Sequence, residues 1–465
     1  MPPSSALRLS PGNSRAMKQL WLVPVIIAGI MSVISCSRTD VTLAEGESYI
    51  FPGKYSDFRL SGEFLSDGAV SAEAFFHDAG KGEGYSVAFH GGPIDGTIKS
   101  GSLLHVRNLY RSLPEDGTWC PFEISVRQKN ISVRIGGKDV VCYTEPDDAW
   151  RSGEHAAMRL GKGRTGFRAK TGQASFRNLE ISKLPSDAVN PCDTMPPLPE
   201  SEDLAIRMQQ EDFPVIDYHV HLKGGLTMQM AHAKSMNYGI NYGVAPNAGE
   251  GGVGRMLSDD AEVYEYFNEI KDEPFLRGVQ GEGRRWTSEF SQEALGVFDY
   301  LFTDAMTIVD HSNRICRIYR NEEVFRGGMT DSQYMDMLTD QTVKILSNEP
   351  ADIFANAFFL PDFLADNFDG MWTDERVDRV LDVMAENGIA MEISARYKIP
   401  SPRVVAMAKE RGIKFTFGTN NVDADFGRLE YSLETARDLG LSKEDMWFPS
   451  MSTRSSRKVV IYNHF

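Results

Sequence analysis

Seven short apolar runs recur between residues 213 and 417, and segments of helical periodicity lie between them. The runs are 213–219, 239–245, 275–281, 298–303, 351–355, 388–393 and 413–417. Segments such as Arg376-Val377-Asp378-Arg379-Val380-Leu381 and Pro402-Arg403-Val404-Val405-Ala406-Met407 place apolar residues three and four apart. Repeated strand–helix units force parallel strands, because each return to the sheet needs a crossover. About seven units in roughly 250 residues predict a (βα)7-type barrel over 213–465. An open doubly wound sheet is the competing arrangement. No glycine-rich dinucleotide fingerprint follows the first run, which counts against it.

The 465-residue chain has a different character upstream. Residues 45–184 read as all-β, with alternating runs at 57–64, 124–127, 131–135 and 174–181. Lys129-Asn130 and Gly136-Gly137 supply tight turns between them. Many short antiparallel strands with glycine turns predict a sandwich or jelly roll. Residues 185–212 are proline-rich and read as an extended linker. The fold class is therefore multi-domain, an all-β jelly roll or sandwich followed by the barrel.

Residues 1–36 have a different job. Met17-Lys18 starts a segment that carries no charge from Leu20 to Ile34 and closes on Ser35-Cys36. This resembles a bacterial lipoprotein signal, which implies acylation of Cys36 and an envelope location tethered to a membrane. A single spanning helix is the alternative, and the run is short for one. Net charge is −16, which excludes a nucleic-acid backbone as partner, since phosphate binding needs a basic face. Of the remaining cysteines, Cys120 and Cys142 share one domain and form a candidate disulfide; free buried thiols are the other reading.

Strand ends are where a barrel collects its chemistry. The first run ends in His219-Val220-His221, whose side chains leave a strand on the same side, with Lys223 and two glycines beyond. Later runs end in Asn247, in Gly281-Glu282-Gly283-Arg284-Arg285, in Asp304, in Asn356, in Glu392 with Arg396, and in Asn420-Asn421. His219, His221 and Glu282 are the expected ligands of one divalent metal, with Zn, Mn, Fe, Co or Ni all suited to nitrogen and carboxylate donors. Asp304 or Glu392 is the expected general base, and Lys223 and Arg396 the groups that steady an anionic oxygen. Asn247, Arg284, Asn356 and Asn420 are expected to bind substrate. His232 and His311 read as surface residues.

From His219 to about residue 440 the chain resembles the polymerase and histidinol phosphatase (PHP) superfamily of metal-dependent hydrolases. The resemblance rests on the His-x-His that ends the first strand, on Glu282, and on Ser401-Pro402 through Gly418. It implies a seven-unit barrel. The family's closing Gly-Ser-Asp-x-His is here Gly418-Thr419-Asn420-Asn421-Val422, so two of its metal ligands are absent. The second-strand His is missing near Pro246, and Asn356 stands where a fifth-strand His is expected. Residues 45–184 resemble the 3-keto-disaccharide hydrolase domain family, on Tyr55-Ser56-Asp57-Phe58-Arg59-Leu60, Trp119-Cys120-Pro121-Phe122-Glu123-Ile124, Ile135-Gly136-Gly137 and Phe176-Arg177-Asn178-Leu179. That implies carbohydrate handling.

The expected activity is metal-dependent hydrolysis or elimination on a small or oligomeric carbohydrate-type substrate, 3-keto-glycosides included. The β domain would bind or present the saccharide. A phosphoesterase of PHP type and a non-catalytic glycan-binding lipoprotein are the alternatives.

Overall fold

The computed structural model describes residues 39–79, 83–185, 187–190, 192–249 and 254–449. The expected signal region and Cys36 lie outside the described residues. Among the described residues, no helix is long and apolar enough to cross a membrane.

Ten antiparallel strands come first: β1 (Thr39–Leu43), β2 (Ser48–Ile50), β3 (Phe58–Leu65), β4 (Ser71–Asp78), β5 (Tyr85–Phe89), β6 (Trp119–Arg127), β7 (Asn130–Ile135), β8 (Lys138–Thr144), β9 (Arg164–Thr171) and β10 (Ala174–Lys183). They form two sheets, β1-β10-β3-β6-β7-β8 and β2-β9-β4-β5. Alternation does the sorting: Phe58, Leu60 and Phe64 of β3 are buried while Arg59 is exposed. Phe76, Phe89, Phe122, Phe167 and Phe176 meet them in the core. Gly136 and Gly137 both take positive φ, 58° and 83°, as the tight β7–β8 hairpin requires. The β6–β7 turn lies one residue earlier than predicted, with Gln128 at φ 51° and Asn130 already in β7.

Cys142 pairs with Cys192, closing a 50-residue separation, and Cys120 and Cys316 are buried free thiols. The expected Cys120–Cys142 pair does not form. Those residues sit on β6 and β8 with β7 between them. Two strand spacings, roughly 9.5 Å, exceed what a disulfide spans. The 185–212 segment is also not wholly extended. It contains α1 (Leu204–Gln210), whose N-cap Asp203 accepts from the Ile206 amide and whose Ala205, Ile206 and Met208 are buried.

The second region alternates strand and helix: β11 (Ile216–Val220), α2 (Met228–Tyr238), β12 (Asn241–Val244), β13 (Asn247–Gly249), β14 (Met256–Leu257), α3 (Asp260–Ile270), β15 (Leu276–Glu282), α4 (Trp286–Glu289), α5 (Gln292–Leu295), β16 (Tyr300–Thr303), β17 (Thr307–Val309), β18 (Ile315–Arg317), α6 (Asp331–Asn348), β19 (Ile353–Phe354), α7 (Asp362–Ala365), α8 (Phe368–Met371), α9 (Asp374–Asn387), β20 (Ala390–Ser394), α10 (Pro402–Glu410), β21 (Phe415–Gly418) and α11 (Glu430–Asp438). Seven of these strands, β11, β12, β15, β16, β19, β20 and β21, pair in parallel, each with the next. β21 returns to β11 and closes the ring. All seven predicted runs are these strands. The β15–β16 connection holds only the single-turn α4 and α5, and β17 and β18 form a hairpin above β16.

The lower, N-terminal end of the barrel is filled by aromatics. Tyr300 spans it, donating to the Tyr218 carbonyl at 2.5 Å. A Cβ on Gly243 or Gly278 would strike the Tyr300 side chain, so both strands need glycine there. The sandwich completes this floor. Its Tyr110 packs with Ile216, Tyr218, Leu276, Tyr300 and Trp447. Arg111 reaches the Phe275 carbonyl and Asp299, Asn108 donates to Asp212 at 3.0 Å, and Lys138 pairs with Glu273 at 2.8 Å. His232, read from the sequence as a surface residue, is half-buried at this seam, 2.7 Å from the Asp139 carbonyl. His311 is exposed and stacks on Phe325.

Candidate functional site at the barrel rim

The site begins on β11, whose pairing with β12 slips between Asp217 and Val220. A bulge of this kind re-aims side chains. His219 and His221 end with ring centroids 5.1 Å apart and planes at 74°. His221 Nδ1 lies 2.7 Å from the Ala245 carbonyl oxygen, so Nδ1 carries the proton and Nε2 keeps its lone pair. Burial, then the neighbouring His219 and Lys223, hold His221 well below the usual imidazole range, in its neutral form. Asn421 clamps the His221 backbone from both sides, accepting from its amide at 2.8 Å and donating to its carbonyl at 2.9 Å. His219 Nδ1 lies 2.9 Å from Glu392 Oε2, and its Nε2 is buried with no partner. That close approach depends on Gly418, where a Cβ would meet both Glu392 and His219. Gly224, at φ 60°, brings the outgoing chain against Val422 in the same way.

A cavity of about 260 Å³ opens above this pair. Eight of the predicted residues line it: His221, Lys223, Asn247, Glu282, Asp304, Asn356, Arg396 and Asn420. His219 and Glu392 lie outside that lining, both buried. Glu392 Oε2 also accepts from the Asn356 amide at 3.3 Å, while Oε1 is buried without a partner. Asn356 and Asn420 both have φ of 44°, a left-handed conformation that asparagine tolerates better than most residues. They are joined side chain to side chain at 3.3 Å.

Burial, then the nearby Asp304, push the Glu282 carboxyl up to about 8; Arg284 and Lys223 oppose the rise. Burial also raises Asp304, which accepts from Gln280 Nε2 at 3.1 Å and from the Met306 amide at 2.9 Å. Burial and Arg396 lower Lys223. The Arg396 guanidinium lies over the Tyr397 ring at 4.7 Å.

Three predicted residues, Arg284, Glu392 and Glu282, are placed differently from the expectation. Arg284 does not line this cavity. It is 2% exposed and pairs with Glu349 at 2.9 Å, which Trp286 and Thr303 also engage. Glu392 does not face the cavity as a free base either; it orients His219. For the metal, the two imidazoles fit. Each engages its Nδ1 with an oxygen, and His219 Nε2 is left without a partner, as a metal-ligating nitrogen requires. Glu282 does not join them: among the described residues, no three His, Cys, Asp or Glu side chains come together in a metal-ligating group.

Gln280, Tyr319, Tyr397 and Glu349 do not stand out in the sequence, and Asn421 does so only as the end of the seventh run. Gln280 was within reach, lying two residues before Glu282 on the same face of β15. Tyr319 arrives from the chain beyond the β17–β18 hairpin and Glu349 from the end of α6, neither of which is a strand end.

Residues 16–182 match the family model of the 3-keto-alpha-glucoside-1,2-lyase-like domain. No curated protein matches the chain. Among solved structures, a putative glycosyl hydrolase from Parabacteroides distasonis is 12% identical, covering 31% of this chain and 81% of its own at a TM-score of 0.29. Histidinol phosphate phosphatase from Lactococcus lactis, complexed with zinc, L-histidinol and phosphate, is 17% identical and covers 49% and 92% at 0.36. The carbohydrate binding module CBM66 from Bacillus subtilis is 10% identical and covers 32% and 91% at 0.24.

Proposed function

We propose that the barrel rim is the active site of a hydrolase or lyase for a carbohydrate-type substrate, in an exported chain anchored through Cys36. The observation that carries this reading is the make-up of the rim cavity. It combines the amides of Asn247, Gln280, Asn356 and Asn420, suited to sugar hydroxyls, with two cations and a pair of interacting carboxyls. Tyr319 and Tyr397 add aromatic surface of the kind on which a sugar ring packs. The family match of residues 16–182 supports the substrate class.

The chemistry follows from the side chains. Glu282 holds its proton near neutral pH, and Asp304 beside it makes ionising both costly. One carboxyl can thus donate a proton to a leaving glycosidic oxygen while the other accepts one, from water in hydrolysis or from carbon in elimination. Lys223 and Arg396 steady negative charge that develops on oxygen. His219, oriented by Glu392, and His221, oriented by Ala245, would hold a divalent metal. Such an ion would polarise a substrate carbonyl or lower the pKa of a bound water. The Cys142–Cys192 disulfide supports export, because such bonds persist in oxidising compartments.

The test uses the purified chain and a His219→Ala/His221→Ala variant. Elemental analysis is expected to find a divalent metal in the first and none in the second, with turnover of glycosides and 3-keto-glycosides lost alongside. Equal metal content in both removes the metal assignment. Full turnover by a Glu282→Gln/Asp304→Asn variant removes the acid–base assignment. Release of phosphate from sugar phosphates with no glycoside turnover replaces this reading with a phosphoesterase.

A further inference from the structure

We propose that a cavity beside the β17–β18 hairpin is a second substrate subsite, so that the rim takes a two-unit glycoside whose outer sugar is acidic. The inference rests on the carbohydrate reading of the rim. This cavity also measures about 260 Å³, and Glu282 belongs to the walls of both. One stretch of chain runs along the two: Asp304, Met306 and Tyr319 line the first, and Thr307, Ile315 and Arg317 line the second. A ligand filling both lies across Glu282, the residue proposed to transfer a proton. The bond between its two units is then the one nearest the acid.

Charge sets the character of the outer unit. Glu323 in the second cavity is held by Arg317 through Nε at 2.8 Å and through Nη2. Arg284 is tied to Glu349. Arg285 lines the same cavity, is exposed, and has no ion-pair partner among the described residues. The uncompensated charge facing this space is therefore a guanidinium, whose planar fork matches a carboxylate. Ile315, 55% exposed and lining the same cavity, offers apolar surface to the C–H face of a ring.

Isothermal titration separates the possibilities, using methyl glucoside, methyl glucuronide, a neutral disaccharide and a disaccharide ending in a glucuronate. The acidic disaccharide is expected to bind at least about tenfold more tightly than the neutral one and than either single sugar, in keeping with one charge-assisted contact. Arg285→Gln should collapse that preference to near unity. Ile315→Trp, at an exposed position that tolerates bulk, should block the disaccharides. Equal affinity for acidic and neutral disaccharides, or a preference that survives Arg285→Gln, overturns the proposal. Binding of single sugars with no gain for disaccharides overturns only the second subsite. Failure of all four sugars to bind overturns the carbohydrate reading of the rim as well.

Discussion

The two ends of the barrel are made by the same seven strands and differ in how fully their polar atoms are satisfied. At the lower end, Tyr300 and Tyr218 are buried and both hydroxyls are bonded, to the Tyr218 and Trp447 carbonyls. At the upper end, His219 Nε2, Glu392 Oε1 and Asn356 Nδ2 are buried without partners. A buried group left unpaired costs about 1–3 kcal/mol. Two left-handed asparagines add backbone strain at the same end. The contrast separates packing from the proposed site: a closely packed floor holds a rim that keeps unpaired buried polar atoms.

Substitutions at the two ends should therefore fail differently. Tyr300→Ala removes the residue that fills the floor and is expected to cost about 3–5 kcal/mol in denaturant unfolding. Sugar binding by the fraction that remains folded should be unchanged. A cost near zero would break the comparison. Glu349→Ala tests the one part of the rim described as structural. It strands the buried Arg284 guanidinium and is expected to cost about 3–5 kcal/mol as well; a negligible cost would show that Arg284 has another partner.

Glu392→Gln should behave in the opposite way. It weakens the orientation of His219, so metal affinity is expected to fall about 10–100-fold. The unfolding midpoint should hold or rise. A large loss of stability with metal affinity intact would place Glu392 among the packing residues.

The smallest effect is on pH dependence. The folded Glu282 binds its proton more tightly than the unfolded one, so the folded state carries more protons between the ordinary glutamate range and about 8. Its contribution to stability falls as pH rises through that window. His221 has the reverse sign. Its depressed imidazole contributes fully above its ordinary value of 6.5 and loses that contribution as pH falls below it. Glu282→Gln should flatten the decline between about pH 5 and about pH 8 in a series of unfolding curves. An unchanged slope would show that burial and Asp304 do not raise the Glu282 carboxyl.

Local pattern revealed more of the architecture than of the site. The seven barrel strands were legible because each is an apolar run with a helical period after it, and most of the cavity lining was legible because strand ends share one face. What sequence hid was decided by packing at a distance. Arg284 follows Glu282 closely in sequence yet turns to Glu349, a partner 65 residues away. Cys142 finds Cys192 instead of Cys120 because β7 stands between the nearer pair. The helix α1 was masked by the prolines before it.

Tyr110 carries a last consequence. It belongs to the sandwich, yet it packs among the side chains that seal the barrel's lower mouth. A barrel cut away at residue 213 would expose Tyr218, Tyr300 and Leu276 to water, an apolar patch of the sort that drives self-association. The two regions are therefore one unit of manufacture. A fragment beginning after the sandwich should precipitate on expression, and only a chain that keeps the sandwich should stay folded and dispersed.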